Sequence, residues 1–224
     1  MKIYEKAYGK EHPLYANNLL NLAYLYRTMA NYERAESLYL ESRLIKEKVV
    51  GNEDPAYAEI INSLADFYNL IGVYDKAESL YLESIAIREK KLGKENTKFS
   101  ESLNNLALLY FKMGLYEKAE PLYWQSKAIC EKSFGIEHPS YAASLSNLGI
   151  LYLEMSNFEK AESLFIESKT IIEKTLGKQH PEYASILESL SSLYYKMGNY
   201  KMAEPLLLES KVIIEKALGK QHPE

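Results

Sequence analysis

The chain has 224 residues, 47% hydrophobic and 26% charged, with 27 basic against 31 acidic side chains and a net charge of −4. That profile excludes a wholly disordered chain and a general nucleic-acid binder, which carries a basic excess. No apolar run approaches the roughly 20 residues of a membrane helix, and Cys130, the single cysteine, excludes an intrachain disulfide or a Cys-based metal cluster. Residues 1–6 meet an acid too early for a secretory signal, so the cytoplasm is the expected location.

Internal repetition organises everything that follows. His12-Pro13 is followed by Asp54-Pro55, Asn96-Thr97, His138-Pro139, His180-Pro181 and His222-Pro223, every step being 42 residues. Gly9, Gly51, Gly93, Gly135, Gly177 and Gly219 keep the same period. Each unit predicts two helices. The His, Asp or Asn offers an acceptor to the orphan N–H groups of the first turn, and Pro at the next position has no N–H to leave unpaired. Helix A is therefore expected to start at Pro13, Pro55, Thr97, Pro139 and Pro181. A break falls near Ala30, Gly72, Gly114, Ser156 and Gly198, and helix B then runs to the next periodic glycine, a natural C′ cap.

The expected boundaries are 1–11 for the end of a preceding repeat, then repeats at 12–53, 54–95, 96–137, 138–179 and 180–221, with 222–224 starting a sixth. Together, residues 1–224 read as one array that is either a segment of a longer protein or a chain associating end to end. The expected core repeats at helical spacing: Leu19, Leu22, Ala23 and Tyr26 in helix A, matched by Leu103, Leu106, Ala107 and Tyr110. In helix B it is Ala35, Leu38, Tyr39, Ser42 and Ile45, matched by Ala119, Leu122, Tyr123, Ser126 and Ile129. Trp124 is expected to pack in the core or between repeats, and Cys130 to be a packing or boundary residue. Pro121 and Pro205 lie early in helix B, where each deletes a hydrogen bond or bends the helix slightly.

Leu103, Leu106, Ala107, Tyr110, Gly114, Tyr116, Ala119 and Tyr123 resemble the tetratricopeptide repeat signature. Departures include Gly149 and Ser191 for Ala107, Ala30 and Ser156 for Gly114, Phe165 and Leu207 for Tyr123, and a recurring serine at 42, 84, 126, 168 and 210. The 42-residue period, the His-Pro or Asp-Pro start and the Leu-Asn-Asn-Leu-Ala run at 103–107 resemble the kinesin light chain subclass. The resemblance implies an all-α fold, a right-handed superhelical α-solenoid of antiparallel helix hairpins, whose concave face is lined by A helices and binds peptides or protein segments. It implies a protein-binding scaffold rather than motor transport, with no cofactor and no chemistry of its own. Alternatives are a structural spacer or oligomerisation array, and the regulatory arm of a larger enzyme such as a protease.

The side of helix A opposite the core carries residues that do not repeat. Those expected in the partner-binding groove are Asn21, Tyr24, Asn62, Asn104, Asn105, Leu108, Phe111, Lys112, Asn147, Ile150, Leu153, Tyr195 and Lys196. Asparagine offers donors and an acceptor to an extended backbone. Leu108, Phe111, Ile150, Leu153 and Tyr195 would make an apolar patch of the kind that marks a binding site. Lys112 and Lys196 could neutralise an acidic ligand, but Glu59, Glu101, Glu154 and Glu188 share that side, so a ligand with both charge signs fits equally. The competing reading is that these polar groups are simply solvated. His12, His138, His180 and His222 occupy the same capping slot in different repeats, and because like helices of successive repeats lie about a helix diameter or more apart, they cannot share a metal ion. No phosphate-binding loop, metalloprotease pair or nucleophile elbow is present, so an enzyme is not expected.

Overall fold

A side-chain acceptor followed by Pro or Thr starts every second helix. The computed structural model describes residues 12–219, and among these all regular structure is α-helical: α1 (Pro13–Thr28), α2 (Tyr32–Val50), α3 (Pro55–Leu70), α4 (Tyr74–Leu92), α5 (Thr97–Lys112), α6 (Tyr116–Phe134), α7 (Pro139–Glu154), α8 (Phe158–Thr175), α9 (Pro181–Lys196) and α10 (Tyr200–Leu218). The caps work as the sequence predicts. Asp54 accepts from the Ala56 N–H at 2.7 Å and Asn96 from Lys98 at 2.8 Å. Nδ1 of His12, His138 and His180 accepts from Leu14, Ser140 and Glu182 at 3.1–3.2 Å. Gly9 and His222 lie outside the described residues.

The turns after α1, α3, α7 and α9 are Schellman closures: the Asn31, Val73, Asn157 and Asn199 N–H groups donate to the carbonyls of Tyr26, Tyr68, Tyr152 and Tyr194 at 2.8–2.9 Å. Each needs a left-handed residue, which Gly72 and Gly198 supply, but Ala30 and Ser156 adopt φ of 55° and 59° there. A Cβ in that conformation costs about 1–2 kcal/mol, part of which the larger unfolded-state entropy of glycine offsets. Ala30→Gly and Ser156→Gly are each expected to raise stability by about 0.5–1 kcal/mol in urea unfolding; no gain from either would contradict this account of the turn. The second set of periodic glycines departs from the expected left-handed cap. Gly51 has φ 85° and ψ 163°, an extended positive-φ conformation open essentially to glycine alone.

The chain divides into two compact units, Met1–Met113 and Gly114–Glu224. In the first, α1 packs on α2 and α3 on α4, with α2 against α3 and α4 against α5. In the second, α6 packs on α7, α7 on α8, α8 on α9 and α9 on α10. Alanines at 23, 35, 77, 107, 119 and 161 are fully buried. They allow helices to approach closely, while Tyr39, Phe67 and Tyr81 fill the wider spaces. Gly149 takes one of these small slots because a Cβ there would sit 2.6 Å from the Phe165 ring. The recurring serine has a hydrogen-bonding reason: Ser42, Ser84 and Ser168 donate to the carbonyls of Ala16, Ala58 and Ala142 at 2.8–3.0 Å, joining helix B to helix A of the same repeat. Pro121 and Pro205 each sit inside an uninterrupted helix.

The expected core is buried except for Leu22, Tyr26, Leu38, Ile45 and Leu122, which are half-buried. Cys130 is half-buried as well. Trp124 is 41% exposed and so is not core, but its Nε1 donates to the Tyr152 hydroxyl of the next repeat at 3.2 Å, an inter-repeat contact. Its slot follows directly after a buried aromatic, about 100° further round helix B. Leu40, Leu82 and Ile166, which follow buried Tyr39, Tyr81 and Phe165, are exposed for the same reason, and Leu208 is exposed as well.

Candidate functional site

In the first unit, slots of the A helices that differ from repeat to repeat converge on a cleft of about 380 Å³. Arg27 and Thr28 of α1, Asp66, Asn69 and Leu70 of α3, and Asn105, Leu108 and Lys112 of α5 line it, with Tyr81 of α4. Spacings of three, four and seven residues keep the α3 and α5 contributions each on one face, and α1 adds the adjacent pair Arg27 and Thr28. The volume is within the roughly 300–1,000 Å³ usual for ligand clefts.

Asp66 is its electrostatic centre. One carboxylate oxygen, Oδ1, accepts from the Tyr81 hydroxyl at 2.6 Å and from Asn105 Nδ2 at 3.1 Å. Burial pushes its carboxyl up to about 6, an effect that the Tyr81 hydrogen bond and the Arg27 charge only partly oppose. The same burial, with the charge of Asp66, pushes the Tyr81 hydroxyl up. Arg27 lies 4.3 Å above the Tyr24 ring, and Lys112 donates to Asn69 Oδ1 at 3.2 Å. Deeper in the unit, the Arg88 guanidinium, 2% exposed, donates to the Lys98 carbonyl at 2.6 Å and to Ser102 Oγ at 2.7 Å. Ser102 in turn donates to Asn62 at 3.0 Å. Burial holds the Arg88 pKa below its usual value, against the pull of Glu101, Glu59 and Asp66.

Of the expected groove residues, Asn105, Leu108 and Lys112 come together in this cleft. Tyr24 is exposed beside it, stacked with Arg27; Asn21 is exposed on α1, and Asn104 and Phe111 are half-buried on α5. Two residues leave the candidate set. Asn62 is 3% exposed and committed to Ser102, and Leu153 is 5% exposed in the packing of the second unit. In that unit Asn147 and Ile150 are half-buried. Tyr195 is exposed with its ring 5.4 Å from Tyr200, and Lys196 pairs with Glu154 at 2.8 Å. Arg27, Thr28, Asp66, Asn69, Leu70 and Tyr81 line the cleft without belonging to the expected set; the first five sit on the non-repeating side of the A helices, whereas the slot of Tyr81 belongs to the buried aromatics of helix B. The acid facing that slot in α3 is the signal that could have found it.

The tetratricopeptide repeat family model matches residues 1–48, 21–90, 98–168 and 152–216, so its matches run through most of the chain. Comparison with curated proteins finds no match. Among solved structures, BtubC (BKLC) of P. vanneervenii superposes with a TM-score of 0.79 at 24% identity, over 95% of this chain and 84% of that one. A kinesin light chain-like protein of Podosopora anserina with nearly identical repeats gives 0.76 at 28% identity, over 92% and 98%. The Rap conjugation gene regulator of plasmid pLS20, solved with the Phr* peptide, gives 0.71 at 16% identity, over 89% and 53%. With its 42-residue period and paired helices, the chain belongs to the tetratricopeptide repeat family, in its kinesin light chain-like subclass, and has that family's all-α solenoid fold.

Proposed function

We propose that the protein is an interaction scaffold that works by binding and not by catalysis, and that the cleft between α1, α3 and α5 receives an extended segment of a partner protein. The observation that carries this reading is the convergence of non-repeating polar and apolar groups, Asp66, Asn105, Leu108 and Lys112 among them, on helices whose packing residues do repeat. Core packing does not require this variety, whereas recognition of one ligand does. Peptide occupancy in the Rap regulator lends a precedent for the fold. The reading takes residues 12–221 as five consecutive repeats and places the protein in the cytoplasm. Among the described residues no helix is long and apolar enough to cross a membrane.

Panning a random-peptide display library against the chain tests it, with an Asn105→Ala/Leu108→Glu double variant as counter-selection. Peptides enriched on the native chain are expected to lose about tenfold or more in affinity on the variant, a change of about 1.4 kcal/mol or more, with helicity unchanged. Equal capture by both proteins would move recognition elsewhere. Capture by neither would shift the reading to assembly through the apolar face of α10, where Met202, Leu207, Leu208 and Val212 are exposed.

A further inference from the structure

The cleft contains a carboxylate that is only half used. Both donors to Asp66, the Tyr81 hydroxyl and the Asn105 amide, reach Oδ1, and Oδ2 has no hydrogen-bond donor among the described residues. The neighbouring cations are engaged elsewhere. The Arg27 guanidinium lies over the Tyr24 ring, Lys112 donates to Asn69, and among the described residues no ion pair includes Asp66.

We propose that Asp66 is the specificity determinant of the cleft and accepts a lysine or arginine side chain of the bound segment at its free oxygen. This deepens the proposed function and rests on the cleft being the binding site.

Three considerations select a basic side chain. First, Asp66 is half-buried with no ion-pair partner among the described residues, so a donor brought by the ligand adds an interaction that the folded protein lacks. Lys112 is exposed and donates to Asn69, and neutralising an exposed charge gains little. Second, Tyr81 and Asn105 hold the carboxylate in one orientation, and the ligand finds its acceptor preorganised. Third, Leu70 and Leu108 line the same cleft and suit the aliphatic stem of lysine or arginine. An acidic ligand would meet Asp66, which the Arg27 and Arg88 charges only partly offset, as a like charge.

The contact should depend on pH, because the carboxyl of Asp66 is pushed up to about 6. Protonation removes the charge that the ligand cation needs. The charged and titratable groups facing it are Arg27 and Tyr24 on α1, Tyr39 on α2, Tyr81 and Arg88 on α4, and Glu101 and Lys112 on α5. Binding therefore weakens as pH falls through about 6.

Three degenerate pools of synthetic nonapeptides, capped at both ends and carrying lysine, glutamate or leucine at a fixed central position, provide the probe. Retention on the immobilised chain is measured at neutral pH and about one unit below the Asp66 value. The lysine pool is expected to be retained about tenfold better than the others, and to lose most of that advantage at the lower pH. Asp66→Asn, which keeps an oxygen for Tyr81 and Asn105, is expected to abolish the advantage. A thermal melt confirms that this variant is folded. Preference for glutamate or leucine, or a lysine preference that survives Asp66→Asn, overturns the inference. If retention is at the same time abolished by Leu108→Trp, which fills the cleft without adding charge, the cleft stands as the binding site with a different specificity. Retention that survives Leu108→Trp, or no retention of any pool, overturns the cleft reading and this inference with it.

Discussion

Replacing Asp66 with asparagine is expected to stabilise the protein at neutral pH by about 2 kcal/mol. The carboxyl of Asp66 is pushed from an ordinary 3.8 up to about 6 by burial, so the folded protein favours the neutral form. The stability associated with that neutral form is fully present below pH 3.8 and is lost as pH rises through about 6. A difference of about two units at about 1.4 kcal/mol each sets the order of magnitude. Asparagine never ionises and keeps a carbonyl oxygen for the Tyr81 and Asn105 donors. The stability difference between variant and native chain should therefore be near zero at about pH 3.5, grow between about pH 4 and pH 6, and stay level above that. Urea unfolding followed by far-ultraviolet circular dichroism across this range measures it. A variant no more stable than the native chain at neutral pH would mean that the ionised Asp66 is compensated in the folded state. A residue that lowers stability at the floor of a cleft is what a trade of stability for recognition would leave.

The helix starts are legible in the sequence because a capping acceptor before Pro or Thr states its own geometry, and the period repeats that statement five times. The small and aromatic core slots are legible for the same reason. Repetition stops helping at the groove. Asn62 and Asn104 share a slot, yet Asn62 is buried because Ser102 of the next repeat donates to it while Arg88 holds Ser102. Three helices decide that outcome, and no single repeat contains the information. Asp66 is visible as a non-repeating acid, but its role depends on Tyr81, whose equivalents Tyr39 and Tyr123 show it only as core. For Trp124 the core alternative fails, because large apolar residues recur in its slot and recurrence is read as burial, while its packing against the next repeat is seen in the bond to Tyr152. Yet all five members of that slot are exposed.

Mutating the tyrosine clasps between repeats is expected to have the largest summed effect. Tyr68, Tyr110 and Tyr194 each donate a hydroxyl to a glutamate 32 residues earlier, Glu36, Glu78 and Glu162, at 2.6–2.7 Å, and Tyr152 donates to Glu120 in the same way. Each joins helix A of one repeat to helix B of the preceding one, and each lies within one of the two compact units. In a repeat array such nearest-neighbour contacts supply the coupling that lets repeats unfold together. A hydrogen bond to a charged acceptor contributes about 1.5–3 kcal/mol. The glutamates are partly accessible to water, and Glu36 also has Lys76 at 3.6 Å, so about 1–1.5 kcal/mol per clasp is expected. The Tyr68→Phe/Tyr110→Phe/Tyr194→Phe variant should thus lose about 3–4 kcal/mol at neutral pH, with a less cooperative urea transition. Burial, then the bonded glutamate, pushes these three hydroxyls up to about 12 from an ordinary 10. Their stabilisation is fully present below pH 10 and disappears as pH rises through about 12. The native chain should therefore lose helicity steeply over that interval, as phenolate absorbance appears, and the triple variant should show a shallower dependence from a lower starting stability. Equal alkaline slopes in the two proteins would remove the clasps from the account of repeat coupling. Because Tyr68 and Tyr110 also anchor α3 and α5, which carry Asp66, Asn105 and Leu108, the same loss should loosen the cleft before the helices themselves melt.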